Sequence, residues 1–435
     1  MTHPLFICES IAERLQDPKN VQKIAETSMS RIEGPSSQWQ SYSFAHGFAG
    51  IAFFYSAMDK AYPGNNWGKI AQKYILEALD HFKEHKSVNG SLFGGLAGIS
   101  LGMSSIQNGS DHFHKFHEGI DDWLIEDVTR SILSIIPRFL SRDTLIPPFF
   151  YGYASGLSGI ISYLLTRKDH PYLQQLAKTC VNDLAKLMLT KKIVGQSEVE
   201  AWYYTNDLLA PIYHTPDFER GYNSSMAYGV TGCLTALSSA ATEGIRSDSI
   251  FRAIEHIAFW LKETYQYVFG NCYWNSIIST ERKIDALPAH HEGFQNTWIL
   301  GWPSVAKSLF LASKALKNEV LFQFSQDLCA KFIEKEPVFF LGGSSFYFGI
   351  AGFISTLYPI AKETNNQPLL QTIRKLTTHC SRLFDPNVAF CFPQFNINAD
   401  AAPFPVDCPT LLGGAAGIGL SLLVAEDKHD PLVIT

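Results

Sequence analysis

The chain has 435 residues, 46% of them apolar and 17% charged, with a net charge of −6 and a pI near 6.2. This is enough apolar material for a sizeable buried core, and the charged fraction, below the usual quarter, means that much of the chain faces protein rather than water. No run of like charge and no basic stripe is present, which argues against nucleic acid as a partner.

The opening MTHPLFICESIAERLQD lacks the basic stretch and long apolar core of a signal peptide. An apolar segment then begins at a glycine knot, HGFAGIAFFYSAM from His46, and an amphipathic stretch follows over 68–85. Knots recur as GGLAGISLGMSSI from Gly94 and SGLSGIISYLL from Ser155, separated by a second amphipathic stretch over 131–142. The third knot lies within Leu145–Leu165, 21 residues without a charge, close to membrane-spanning length. Pro147, Pro148 and the glycines at 152, 156 and 159 interrupt it, so it reads as a buried helix behind a loop. Residues 190–225, rich in aromatics and mixed charge, read either as an inserted lid or peptide-docking arm, or as a connecting loop with one short helix. The remaining knots are YGVTGCLTALSSA from Tyr228, GWPSVAKSLFLASKAL from Gly301, FGIAGFISTLYPIAKE from Phe348 and GGAAGIGLSLLVAE from Gly413, with amphipathic stretches over 250–265 and 369–384.

The leading glycines, Gly47, Gly95, Gly156, Gly229, Gly301, Gly349 and Gly414, are 48, 61, 73, 72, 48 and 65 residues apart. Repetition on this scale decides an architecture. Each knot opens a nearly uncharged segment of helical length, and the stretches between carry apolar residues at helical spacing on one face. Pairing each amphipathic helix with an apolar one and closing seven pairs into a ring gives an all-α, α/α toroid, a single domain over 1–435. The knots then converge at one end of the inner barrel, since glycine suits close backbone approach. Eight cysteines without CxxC spacing (Cys8, Cys180, Cys233, Cys272, Cys329, Cys380, Cys391, Cys408) read as reduced, mostly buried thiols of a cytoplasmic protein.

A central mouth at the knots is the place to look for a site. The candidates there are Tyr151, Gly152 and Tyr153 at the third knot and Tyr228 at the fourth. Trp298, Ile299 and Trp302 flank the fifth, Phe346, Tyr347 and Phe348 precede the sixth, and His46 belongs to the first. Apart from His46, none can ligate zinc as thiolate or imidazole, and none is a carboxylate, so the mouth is expected to be aromatic and uncharged. His290, His291 and Glu292, upstream of the fifth knot, read as a solvated loop rather than ligands.

The seven knots, with TWILGWPSVAKSL at the fifth and FYFGIAG at the sixth, resemble the lanthionine cyclases and their LanC-like relatives over roughly residues 40–425. The resemblance implies a double ring of seven outer and seven inner helices. It also implies one zinc ion held by two cysteines and a histidine, and the addition of peptide cysteine thiols to dehydroalanine or dehydrobutyrine. Carried over by position, the zinc ligands fall on Ile299, Tyr347 and Phe348, and the proton-handling histidine falls on Tyr228. An expected aspartate falls on Gly152 and an expected arginine on Gln295. The sequence thus implies a degenerate member without zinc or another cofactor. Its expected partners are a dehydrated precursor peptide, a lanthipeptide dehydratase or an active cyclase, with no transmembrane segment of its own and room for peripheral association with a membrane-bound synthetase complex. Tyr151, Tyr153, Trp298, Trp302 and His46 are the expected substrate-contacting side chains. A metal-free thioether cyclase using Tyr228 as proton donor is the alternative, and a glycoside hydrolase on the same ring, which needs paired carboxylates, a remote one.

Overall fold

Glycine caps every helix of the inner ring, and a polar side chain caps most helices of the outer one. A computed structural model describes residues 2–31, 38–84, 89–106, 111–209, 220–268, 271–273, 277–278, 297–334, 343–396 and 404–429. Helices α1 (Pro4–Arg14) and α2 (Pro18–Met29) come first, followed by α3 (Phe48–Ala61) with α4 (Trp67–Glu84) and α5 (Leu96–Ser104) with α6 (Asp111–Asp127). The short helices α7 (Ile136–Phe139) and α8 (Pro148–Tyr151) precede α9 (Leu157–Leu164) and α10 (Pro171–Leu189). Three more pairs are α11 (Val230–Thr242) with α12 (Asp248–Glu263), α13 (Trp302–Leu316) with α14 (Glu319–Ile333), and α15 (Ile350–Glu363) with α16 (Gln367–Arg382); α17 (Ala415–Ala425) ends the series.

The inner ring is α3, α5, α9, α11, α13, α15 and α17, each touching the next, with α17 closing on α3. Nearly every residue of these helices is buried, as an apolar helix surrounded by helices must be. Six outer helices follow their inner partners, and α1, packed on α17, takes the seventh place. Buried hydroxyls bind it there: Tyr55 donates to the Ala12 carbonyl at 2.5 Å and Tyr74 to that of Leu15 at 2.6 Å. The fold is therefore the expected all-α toroid, with its core between the two rings.

One expectation needs correction. The stretch 131–142 is not one amphipathic helix. The outer helix of that pair is α6, which runs into a π-helical turn at Val128–Ile132 and a 3₁₀ turn at Leu133–Ile135 before α7. Pro137, at the start of α7, has no N–H to continue an earlier helix. Segment 190–225, expected as a lid or docking arm or as a connecting loop with one short helix, contains one short helical piece where described, a 3₁₀ turn at Asn206–Leu208. It holds the antiparallel hairpin β1 (Lys192–Val194) and β2 (Ser197–Val199), then β3 (Tyr203–Thr205) paired with β4 (Arg220–Asn223). The hairpin is docked on the wall. The buried Lys192 ammonium donates to the Phe139 and Ser141 carbonyls, and Trp202 packs edge-on against Trp260 of α12 at 5.2 Å. Further short strands, β5 (Gln266–Val268) with β6 (Asn271–Tyr273), β7 (Ile277–Ile278) on β4, and β8 (Gln394–Asn396) with β9 (Phe404–Val406), decorate the connections.

Candidate functional site at the barrel mouth

The knots are joined edge to edge. Phe44 and Ala45 donate to the Phe93 carbonyl at 2.9 and 3.2 Å, Phe93 to Ala154 at 3.0 Å, Ala154 to Ala227 at 2.8 Å and Met226 to Ile299 at 2.9 Å. Tyr347 donates to Leu412 at 2.8 Å and Leu412 to Ala45 at 3.1 Å, which returns the circuit to its start. Between the fifth and sixth knots the contact is ring on ring, Trp298 against Phe346 at 5.4 Å.

The glycines make this closeness achievable. A Cβ on Gly50 would stand 2.0 Å from the Phe44 carbonyl oxygen and 2.8 Å from Cβ of Leu411 in the preceding knot. The corresponding notches at Gly98, Gly159, Gly232, Gly352 and Gly417 receive Cβ of Phe44, Leu92, Tyr153, Trp298 and Phe346. These donors of Cβ all sit three residues before a leading glycine. The ring at that offset is therefore wall, not mouth: Phe44, Tyr153, Trp298 and Phe346 are fully buried. Tyr151 is fully buried too, and Trp302, one residue past its glycine, points outward to Phe332 of α14 at 4.8 Å. Tyr151, Tyr153, Trp298 and Trp302, the expected substrate-contacting side chains, are thus buried in the wall of the ring in this structure. The notch beside each knot takes the −3 side chain and closes over it.

What opens at the mouth is the offset one residue before each leading glycine. Gly94, Ser155, Tyr228, Leu300, Phe348 and Gly413 are half-buried there, and only His46 is covered, at 9% exposure. One residue earlier still, Ile299 is buried and Tyr347 half-buried. A signal that the glycine pattern hid fixes these side chains. A serine or threonine stands four residues before six of the seven leading glycines: Ser43, Ser91, Ser225, Thr297, Ser345 and Thr410. Its hydroxyl accepts the N–H of the mouth residue at His46 (3.1 Å), Tyr228 (3.3 Å), Leu300 (3.3 Å), Phe348 (3.4 Å) and Gly413 (3.2 Å).

Gly152 occupies that offset in the third knot. A Cβ there would meet the Ala227 and Pro148 oxygens at 2.8 Å and the Tyr228 Cα at 2.9 Å, so the backbone has closed over the place of the expected aspartate. The Tyr347 ring lies 4.6 Å from the Phe348 ring and stacks on His46 at 6.1 Å, the two planes 28° apart. Burial pulls the His46 imidazole down to a pKa of about 4, and its Nδ1 has no hydrogen-bond partner among the described residues. It is neutral, so the mouth ring carries no charge. Lys307, six residues beyond the leading glycine of α13, was not singled out in the sequence, where the segment from Gly301 reads only as a nearly uncharged inner helix. It is only 8% exposed, and burial pulls its amine down to about 7. Cys233 is buried as expected, its thiol pushed up to about 12. Gln295, His290, His291, Glu292 and the Cys272 side chain lie outside the described residues.

Zinc is the metal that the resemblance implies, and it takes thiolate, imidazole or carboxylate donors. Ile299 and Phe348 offer no lone pair and Tyr347 a single phenol, so the residues at these positions do not fit it. Among the described residues no three His, Cys, Asp or Glu side chains gather in a cluster that could hold a metal ion.

Fold and mouth together define a closed helical toroid of the cyclase type whose central opening is lined by uncharged side chains. The model of the lanthionine synthetase C-like protein family matches residues 38–433, and the chain belongs to that family. Nisin biosynthesis protein NisC of Lactococcus lactis subsp. lactis is 21% identical over 275 residues, 63% of this chain. The match likewise spans only 63% of the length of that relative. The solved structure of nisin cyclase superposes with a TM-score of 0.71 at 16% identity, covering 96% of this chain and 95% of the other, which shows the shared fold. Among the described residues no helix is long and apolar enough to cross a membrane.

Proposed function

We propose that this protein serves lanthipeptide biosynthesis as a binding module. It would hold a dehydrated precursor peptide, or dock a dehydratase or an active cyclase, at the barrel mouth without zinc-dependent catalysis. The observation that carries this reading is the filling of the family's ligand and proton-handling positions by Ile299, Tyr347, Phe348 and Tyr228. Three of these side chains are half-buried at the opening and the fourth lies just beneath. Aromatic and aliphatic side chains in such a place suit neutral, apolar peptide groups such as dehydrated residues and thioether rings.

One feature supports a second reading, a metal-free thioether cyclase. The Tyr228 ring stays partly accessible at the rim, and a phenol can donate a proton to a developing enolate. A cysteine of pKa about 8.5 is about 3% ionised at neutral pH, so the missing metal costs about 2 kcal/mol in thiolate alone. Loss of acid–base help removes roughly another 10²–10⁴ in rate. The two readings separate when the protein is incubated with a dehydrated, cysteine-containing precursor peptide and free thiols are counted by alkylation and mass spectrometry. The binding reading expects thiols to disappear no faster than in buffer while the peptide is retained on the protein. Accelerated loss that slows in Tyr228→Phe overturns it in favour of the cyclase.

A further inference from the structure

Helix α16 differs from every other outer helix. Each of the others carries at least one Asp or Glu, whereas Gln367–Arg382 carries none and holds Arg374, Lys375, His379 and Arg382. Arg374, Lys375 and Arg382 are exposed and His379 is half-buried. With Thr378 these four line one shallow groove of about 360 Å³ on the outside of the barrel. Among the described residues none of Arg374, Lys375, His379 and Arg382 forms an ion pair. Arg374 lies near Tyr358, whose hydroxyl donates to Asp427, but that carboxylate is already paired with Lys362. Favourable placement at a helix C-terminus accounts for His379 and Arg382, in the last turn, and not for Arg374 and Lys375. A cluster of unpaired cations on a chain of net charge −6 is a local reversal of the molecule's sign.

We infer that the outer face of α16 is a docking site for an acidic peptide segment, apart from whatever the mouth holds. Three exposed cations, two of them guanidinium forks suited to carboxylates, face the same groove. From Arg374 to Arg382 the helix rises about 12 Å, the reach of about four extended residues. That length suits a short peptide with alternating carboxylates. A duplex would call for cations spread over a longer stretch, since it presents a charge every ~1.7 Å. A membrane surface would call for apolar side chains beside the cations, and none of the large exposed apolar residues lies on α16.

The test measures anisotropy of fluorescein-labelled hexaglutamate titrated with the full chain in low and moderate salt. The wild type is expected to bind saturably and to weaken as salt rises. The variant Arg374→Gln/Lys375→Gln/Arg382→Gln is expected to lose about tenfold or more in affinity. A charge-matched variant on other outer helices, Lys69→Gln/Lys73→Gln/Lys178→Gln, is expected to keep wild-type affinity. All six positions are exposed, so circular dichroism should report the same fold in each protein. Absence of saturable binding, an equal loss in both triple variants, or tighter capture by phosphatidylglycerol vesicles or duplex DNA than by hexaglutamate overturns the inference. A Phe348→Ala change at the mouth is expected to leave hexaglutamate binding unaltered, so failure here and failure of the mouth reading remain distinguishable.

Discussion

At Gly152 the backbone of the neighbouring knot stands where a side chain would begin. Its φ of −63° is open to any residue, so conformational freedom is not the reason for glycine; the 2.8–2.9 Å approaches of Ala227, Pro148 and Tyr228 are. Gly152→Asp, which restores the residue expected of the family, should therefore destabilise the fold by about 1–3 kcal/mol through overpacking. Urea unfolding measures it, and an unchanged midpoint would mean that the third and fourth knots separate at no cost. His46 gives a second prediction. Its native pKa of about 4 lies below the unfolded value near 6.5, so the unfolded chain takes up the proton first. The stability from keeping it neutral is complete above pH 6.5 and is lost as pH falls from there to about 4. The loss is on the order of 3 kcal/mol. His117, also held near 4 chiefly by burial, adds a loss of the same sign. His46→Gln should flatten the fall in stability between pH 6.5 and 4 by about one proton's worth, leaving the His117 part in place; an identical pH profile would contradict the assignment.

Between elements, the tightest polar junction lies away from the mouth. Asp121 of α6, with no exposed surface, accepts from Ser100 of α5 at 2.7 Å and Tyr163 of α9 at 2.6 Å, and pairs with Arg167 just beyond α9. Replacing it by Asn leaves a largely buried guanidinium without its counter-charge, and should cost about 3–5 kcal/mol in chemical denaturation. A cost below 1 kcal/mol would show that water reaches the site. Nothing in the sequence pointed to this junction, because its members come from helices that only the closed ring brings together. The inner and outer helices were legible, since uncharged runs and one-sided periodicity follow directly from full and half burial. Rings at the knots were legible as a group but not in their directions. Trp298 stands three residues before its leading glycine and Tyr347 two before its own, yet the first fills the groove beside a neighbouring knot and the second stacks on His46 of another. That difference arises from backbone pairing between knots 48 to 73 residues apart, which no local pattern encodes. The Ser/Thr four residues before the glycine was readable all along, obscured because hydroxyl residues are common in loops.

At the scale of the molecule, the glycine notches, the circuit of backbone hydrogen bonds and the hydroxyl caps all serve closure of the ring, and none of them needs a metal. The framework is therefore expected to persist although the positions on which the resemblance places the zinc ligands hold Ile299, Tyr347 and Phe348. The sequence could disclose those three substitutions because each sits at a fixed offset from a glycine. It could not disclose that the third knot has closed over Gly152, which depends on where Ala227 and Tyr228 come to lie. The most direct measurement is elemental analysis of the protein purified from zinc-supplemented cells without chelators. The account predicts zinc well below one atom per chain, unchanged when Tyr347 is replaced by Phe. One zinc atom held firmly by each chain would contradict it.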